Sequence, residues 1–300
     1  MPRFKRAPIV VPVDYSDASL RAVRTARGLV DSPSDLTAVY ALANMDLIVP
    51  GHRWGGVLSH DEQRATAVTR MNEWLTENEL DDINHEVLIG DAGLEVSKFV
   101  KESEANLVVL PSHGRHGLKR LLLGSVAERI VRHCECSVLV LKHRAADPKS
   151  LISEAWLPRK RVVVPVDFSR STPETVWLAL ELVDNRTNVD VINVLPPMEY
   201  IYGEMLMTTT ETDADRRGER QKYLERYLAE NDLDVVRAHV LTGDPGTTIT
   251  DYANEHSADL IVIPSHGYHG ISRIVLGSVA ERVLRHADCP VLVTRRLDSQ

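Results

Sequence analysis

Short, unbroken apolar runs alternate along this chain with longer stretches in which apolar residues recur at helical spacing. The clearest runs span 9–13 and 162–166, and their continuous Ile and Val content is typical of strands buried on both faces of a parallel sheet. Each run is followed by Asp, an aromatic residue and Ser. We therefore predict that Ser16 and Ser169 are the N-caps of the helices that come next.

The same alternation continues through both halves of the chain. Strands that take turns with helix-length segments indicate right-handed crossovers and a parallel sheet with helices on both faces. The predicted fold class is therefore α/β, with a doubly wound sheet in each half. Further strands are predicted at 36–42, 86–89, 107–110 and 137–141, and again at 189–195, 236–241, 260–263 and 290–294.

One pattern occurs twice, at an offset of 153 residues. Residues 111–133 align with 264–286 without a gap and share sixteen of twenty-three residues. The same offset pairs Asp14 with Asp167, so the register holds across both halves. A match of this length indicates a tandem duplication of one domain rather than a short-repeat solenoid. Any site that these residues build is expected to exist twice.

Domain boundaries follow from the repeat and from a polar, proline-punctuated stretch in the middle of the chain. We predict one domain over 1–146, a linker over 147–158 and a second domain over 159–300. Each half is long enough to bury its own core. The stretches 46–60 and 197–214 differ most between the halves and are predicted to be loops.

Composition and charge limit the partners and the cellular location that the chain can have. A formal net charge of −8 argues against a nucleic-acid surface, which needs clustered Lys and Arg. No apolar run approaches the roughly eighteen residues that a membrane span needs, and the N-terminus lacks a signal-type apolar core. We predict a cytoplasmic protein without nucleic-acid or membrane partners. Three cysteines, Cys134, Cys136 and Cys289, fit reduced core thiols, and no metal site is predicted.

The strongest chemical signal is a strand, then Ser-His-Gly, then a Gly-Ser pair that opens a helix. A helix start leaves backbone N–H groups unpaired and carries partial positive charge, and glycine lets a ligand approach the backbone. These features favour a phosphate site at the carboxyl ends of the strands, where Asp14 and Asp167 would face ribose or adenine. The predicted phosphate-binding residues are Gly114, Gly124 and Ser125 in the first half, and Gly267, Gly277 and Ser278 in the second.

With these motifs the sequence resembles the universal stress proteins, in their tandem two-domain form. Nucleotide-binding members carry Gly-x2-Gly-x9-Gly-(Ser/Thr), and here Pro111-x2-Gly114-x9-Gly124-Ser125 and its copy from Pro264 keep that spacing. The resemblance implies an adenine nucleotide alpha hydrolase-like fold, a five-stranded parallel sheet in the order 3-2-1-4-5, and domains paired through the last strand. It also implies bound ATP, with Mg²⁺, ADP or AMP as further ligands to test.

Carried over residue by residue, the resemblance assigns the nucleoside and the phosphates to different positions. The nucleoside is assigned to Pro12, Asp14 and Ala41 in the first half, and to Pro165, Asp167 and Val194 in the second. The phosphates are assigned to Gly114, Gly124, Ser125 and Val126, and to Gly267, Gly277, Ser278 and Val279.

The chain departs from the family's pattern at the first motif glycine, which is Pro111 in one half and Pro264 in the other. Proline has no N–H, so one backbone contact is lost while the later donors remain. The loss of one charge-assisted hydrogen bond costs roughly 1.5–3 kcal/mol, or about one to two decades of affinity. Weaker binding is the expectation.

Three function hypotheses follow. The first is an ATP-binding stress or signalling module. The second is a nucleotide-independent scaffold that assembles through its last strands, with a homodimer left open, and the Gly-Ser pairs would then be mere helix caps. The third is an enzyme, but neither half has the Gly-Lys-(Ser/Thr) of a P-loop and no catalytic residue is predicted. Slow ATP hydrolysis or autophosphorylation is the most that we expect.

Overall fold

The computed structural model describes residues 8–43, 60–113, 123–142, 156–198, 212–265 and 276–295. In the first half the strands are β1 Ile9–Val13, β2 Leu36–Leu42, β3 Asn84–Ile89, β4 Leu107–Pro111 and β5 Ser137–Leu141. In the second half they are β6 Val162–Pro165, β7 Val189–Leu195, β8 Arg237–Thr242, β9 Leu260–Pro264 and β10 Val291–Thr294. The predicted strands are confirmed, with differences at their ends.

Eight α-helices occur among the described residues and connect the strands. Those of the first half are α1 Asp17–Arg27, α2 His60–Glu77, α3 Ala92–Glu102 and α4 Ser125–His133. Those of the second half are α5 Thr172–Glu181, α6 Asp213–Glu230, α7 Pro245–Glu255 and α8 Ser278–His286. Most of the loops predicted at 46–60 and 197–214, like most of the predicted linker, lie outside the described residues. The loop prediction is wrong at their last residues, because α2 begins at His60 and α6 begins at Asp213.

The ten strands form one continuous sheet in the order β3-β2-β1-β4-β5-β10-β9-β6-β7-β8. The order 3-2-1-4-5 is confirmed in the first half and is repeated, in mirror sequence along the sheet, in the second. Neighbouring strands are parallel within each half. The last strands of the two halves, β5 and β10, pair antiparallel. The carboxyl ends of the two parallel sets therefore lie at opposite edges of the sheet.

The core occupies both faces of this sheet, as the unbroken apolar runs predict. Ile9 and Val11 belong to one buried cluster, whereas Val10 belongs to another on the opposite face. All three side chains are fully buried. Alternate strand residues therefore bury apolar surface under two helix layers, which explains why these strands show no polar alternation.

The two predicted N-caps behave differently. Ser16 caps α1, and its hydroxyl accepts from the Ser19 N–H at 3.2 Å, so this prediction is confirmed. The prediction for Ser169 is wrong: α5 begins at Thr172 with Ser171 at the N-cap position. Proline is favoured in the first turn of a helix, and Pro173 occupies that turn here. The helix start consequently lies two residues further along the chain than in the first half.

Candidate functional site

The strand order places a topological switch point in each half, where a ligand crevice is expected. In the first half β1 lies between β2 and β4, and chain connections leave it in opposite directions. Ligands of open α/β sheets bind beyond the carboxyl ends of the strands at such a point. The residues that follow β1 and β4 therefore form the wall of the crevice, and the equivalent residues of the second half follow β6 and β9.

Asp14 directly follows β1 and is held in a tight turn. Its Oδ1 accepts from the Ser16 N–H at 3.1 Å and also from the Ser16 hydroxyl. Asp167 repeats this arrangement and accepts from the Ser169 N–H at 3.0 Å. Both carboxylates are partly exposed. The duplication has therefore preserved an oriented carboxylate at the same strand end in both halves.

The aromatic residue of each turn has a left-handed backbone conformation. The φ angle is 63° at Tyr15 and 61° at Phe168, which is unusual for a bulky side chain. Ring packing holds this conformation in the first half, where the Tyr15 ring centroid lies 4.7 Å from that of Tyr40 and 5.7 Å from that of Trp74. Packing of the Tyr15 ring thus stabilises the strained turn, and the turn fixes the position of Asp14.

Different residues support the turn of the second half. The Phe168 ring contacts the rings of Tyr223 and Tyr227 edge-on, with centroids 4.8 and 5.2 Å apart. Asn193 occupies the position that Tyr40 has in the first half, and its amide donates to the Val166 carbonyl at 2.7 Å. The two crevices therefore share their aspartate but differ in the residues beneath it.

The helices α4 and α8, called the cradle helices below, begin at the glycines of the motif. Gly124 and Gly277 are the N-cap residues, and neither helix has a side-chain cap. The first-turn amides of Ser125, Val126 and Ala127 have no intrahelical acceptor, because the first regular helix bond runs from Glu128 N–H to Gly124 O. This uncapped first turn is suited to an anion.

The motif glycines do not act as predicted in one respect. The Gly124 N–H donates to Ser112 O at 2.8 Å, and the Gly277 N–H donates to Ser265 O at 2.9 Å. These two amides are therefore engaged within the protein, and the donors left for a phosphate belong to the residues that follow. Glycine favours this close approach, since a Cβ at Gly124 would make a tight contact of 3.3 Å with Ser112 O.

Ser112 links three parts of the first crevice. Its N–H donates to Leu141 O at the end of β5 at 2.8 Å, while its carbonyl holds Gly124. Its hydroxyl lies 3.1 Å from Nδ1 of His113. Ser265 repeats the backbone bonds and donates to Thr294 O at 2.9 Å. In both halves the start of the cradle helix is thereby tied to the last strand, a connection that the sequence analysis missed.

His113, the residue after Ser112, has a shifted pKa. Burial, with a smaller effect of the positive charge on Lys142, lowers the pKa of His113 below its ordinary value. Within the described residues its buried Nε2 has no hydrogen-bond partner. The imidazole is therefore neutral near pH 7 and offers a ligand a hydrogen-bonding group rather than a charge.

The structure places predicted site residues on neighbouring strands in each half. Pro12 and Pro165 lie in β1 and β6, and Ala41 and Val194 are the penultimate residues of β2 and β7, next to them in the sheet. Val126 is 40% exposed at the start of its helix, whereas Val279 packs against the core. Gly114 and Gly267 lie outside the described residues, so their predicted roles are not tested.

Pro111 and Pro264, which replace the first motif glycine, are the last residues of β4 and β9. They lie beside Leu141 and Thr294 in the sheet. The substitution therefore removes an N–H at the rim of the crevice and leaves the uncapped helix start intact.

A second repeated feature braces the cradle helices. Asp91 caps α3 by accepting from the Leu94 N–H at 3.1 Å, and it is also paired with Arg129 of α4. The hydrogen bond from Arg129 lowers the pKa of the Asp91 carboxyl. The Arg129 stem lies on Gly93, where a Cβ would approach it to 2.6 Å. The second half repeats this set with Asp244, Arg282 and Gly246.

Two classes of site are not found among the described residues. No group of three or more His, Cys, Asp or Glu side chains there is arranged to hold a metal ion. In the same part of the chain, no helix is both long and apolar enough to cross a bilayer.

The fold defines a class: a tandem α/β protein with a topological switch point in each half. The sequence gives the family, because the profile of the universal stress protein family matches residues 5–142 and again residues 158–295. This chain belongs to the universal stress protein family and contains its domain twice.

Individual relatives agree with this assignment. A universal stress protein of Methanocaldococcus jannaschii is 31% identical over 138 residues, which cover 45% of this chain and 81% of that protein. A universal stress protein of Mycobacterium tuberculosis is 32% identical over 202 residues, or 65% of this chain and 63% of that protein. The crystal structure of a universal stress protein from Archaeoglobus fulgidus covers 99% of both chains with a TM-score of 0.64 at 21% identity, and it shares the fold.

Proposed function

We propose that this chain is an ATP-binding stress-response or signalling module of the cytoplasm, with one nucleotide in each crevice. The observation that carries the proposal is a pair of features that both halves repeat: a cradle helix without a side-chain cap, and an oriented aspartate at the carboxyl end of β1 or β6. Helix amides that bind phosphate, if they were repeated without the carboxylate, would fit any small anion. The pair fits a ligand that has phosphates at one end and hydroxyl or amine donors at the other.

The chemistry divides between the two walls of the crevice. The first-turn amides of α4 and α8 suit phosphate oxygens, because no described residue accepts from them and they lie at the positive end of a helix dipole. Asp14 and Asp167 would repel phosphate and instead suit ribose hydroxyls or the adenine amine. Mg²⁺, where it is needed, would be bound mainly through the phosphates, as is usual for this ion.

Proline substitution at the first helical position tests the cradle directly. Proline is tolerated there, and it removes one N–H while leaving the helix intact. Gly124 and Gly277 have extended backbones with ψ of 148° and 145°, which a following proline accepts. A chain with Ser125→Pro and Ser278→Pro should bind ATP about ten to a hundred times more weakly, as calorimetry would show.

The chain itself supplies the matched control. Pro245 is the natural first residue of α7, and Ala92 is its equivalent in α3. Ala92→Pro therefore makes the same change at a helix start that is capped by Asp91, and it should leave ATP affinity unchanged. Ser125→Ala with Ser278→Ala removes the two hydroxyls but keeps the two backbone N–H groups, so its affinity shows how much of the loss in the proline variant comes from the hydroxyls. Wild-type protein that neither binds added ATP, ADP or AMP nor releases nucleotide on acid denaturation would refute the proposal.

A further inference from the structure

We propose that each cradle helix is held at its C-terminal end by a cation from the opposite half, so that each crevice depends on the other half for its shape. The inference rests on the proposed function in one respect, since it treats α4 and α8 as the phosphate-binding helices. The contacts themselves do not depend on any ligand.

The β5–β10 pairing has an internal two-fold relation. Leu139 pairs with Leu292, and these two are equivalent under the repeat offset. Val138 pairs with Val293, and Val140 pairs with Val291, so the flanking pairs exchange under the same operation. The two halves consequently meet as an isologous dimer would, and every contact at this interface should occur twice.

The cations just beyond these strands follow that rule. Arg295 directly follows β10, and its guanidinium donates to Val131 O at 2.6 Å and to Arg132 O at 3.2 Å, in the last turn of α4. Lys142 directly follows β5, and its ammonium donates to Leu284 O in the last turn of α8. Lys142 and Arg295 are equivalent positions, as are Val131 and Leu284. Each half thus sends one cation to the other half's cradle helix.

Two ion pairs join the last turn of each cradle helix to the first turn of the other. Arg132 of α4 pairs with Glu281 of α8 at 3.0 Å, and Arg285 of α8 lies 3.9 Å from Glu128 of α4. These four side chains are about one third exposed, so their ion pairs add less than the buried contact of Lys142. Lys142 is only 7% exposed, and loss of its ammonium would leave a buried carbonyl without its donor.

The C-terminal contact matters at the N-terminus because the cradle helices are short. Each has nine residues and lacks a side-chain N-cap. Helices of this length are marginal without tertiary contacts, so fraying at one end reaches the other. A cation at the last carbonyls satisfies unpaired acceptors and complements the helix dipole. Removal of that cation should therefore loosen the first-turn amides that face the crevice.

Support of each cradle helix by a cation of the opposite half is called crossed support below. Hydrogen exchange of the full-length chain, read by mass spectrometry, tests it. Arg295→Met should make amides of α4 exchange about ten times faster and leave those of α8 unchanged. Lys142→Met should do the reverse. Lysine and arginine each make this contact in one half, so Arg295→Lys and Lys142→Arg should keep hydrogen-exchange protection close to wild type. These two variants take the place of a methionine variant that does not fold.

Arg161→Met is the matched control, because Arg161 lies in the second half and pairs with Asp190, away from β10. It should leave both cradle helices protected. Faster exchange in both helices alike, or only in the helix of the mutated half, would overturn the inference. Unchanged exchange in both methionine variants would do the same.

Nucleotide affinity gives the second readout. In a chain with Ser278→Pro, which leaves the first crevice as the main site, Arg295→Met should weaken ATP binding about tenfold and Lys142→Met should weaken it less. If each methionine variant speeds exchange only in the opposite half's cradle helix but ATP affinity does not change, the contacts do not shape the nucleotide site. Crossed exchange in a wild-type protein that binds no nucleotide would instead refute the proposed function and leave the crossed support standing.

Discussion

At the scale of single residues, the crevices depend on a few side chains whose neighbours set their chemistry. Asp14 is oriented by the turn that Tyr15 closes, and Ser112 carries the connection from β5 to the start of α4. Lys142 combines burial with a positive charge at the interface between the halves. Burial lowers its pKa from 10.5 to about 8, although Cys289 and Asp288 nearby act in the opposite direction.

The depressed pKa of Lys142 makes stability depend on pH in a defined direction. Between about pH 8 and 10.5 the unfolded chain binds this proton and the folded chain does not, so the free energy of unfolding should rise with pH in that window. The gain of wild type over Lys142→Met should be up to about 3 kcal/mol across the window. Urea unfolding at several pH values measures it, and a pH-independent difference would contradict it.

At the scale of elements, four strands match their predicted bounds, namely β1, β2, β5 and β7. Helix ends are less well predicted, as the start of α5 shows. The pairing of β5 with β10 makes each last strand internal to the sheet. Those strands are consequently occupied within the chain, which disfavours a scaffold that uses them to join separate chains.

A charge on the axis of this pairing should separate the halves. Leu139 is 1% exposed and lies beside Leu292, so Leu139→Glu would bury a carboxylate without a partner. We expect a loss of about 3–5 kcal/mol in the free energy of unfolding and separate transitions for the two halves in urea. Leu94→Glu is the control, because Leu94 is 49% exposed on α3 and should tolerate the change. A single unshifted transition for Leu139→Glu would contradict this expectation.

At the scale of the whole molecule, the chain is an internal pseudo-dimer. The strand edge through which two copies of one domain would pair is already paired within the chain, between β5 and β10. The outer strands of the sheet are β3 and β8, and they carry polar residues such as Glu86 and Arg237, each in an ion pair. Polar edge strands discourage pairing between molecules.

The chain should therefore be a monomer in solution. Light scattering at several protein concentrations should give a mass near 33.5 kDa that does not change with dilution. Twice that mass, or a mass that rises with concentration, would show that a second surface joins chains and would support the homodimer that the sequence left open.

The sequence alone determined the duplication and the α/β class, and it predicted which residues form each site. Those conclusions need only local periodicity and the repeat offset, which survive in a linear chain. Tertiary structure decided which amides face the crevice, because the Gly124 N–H is used by Ser112 only once β4 and α4 are packed. It also decided that Arg295 and Lys142 support the opposite halves, since contacts between residues more than 140 positions apart arise from strand pairing and leave no periodic signal in the sequence.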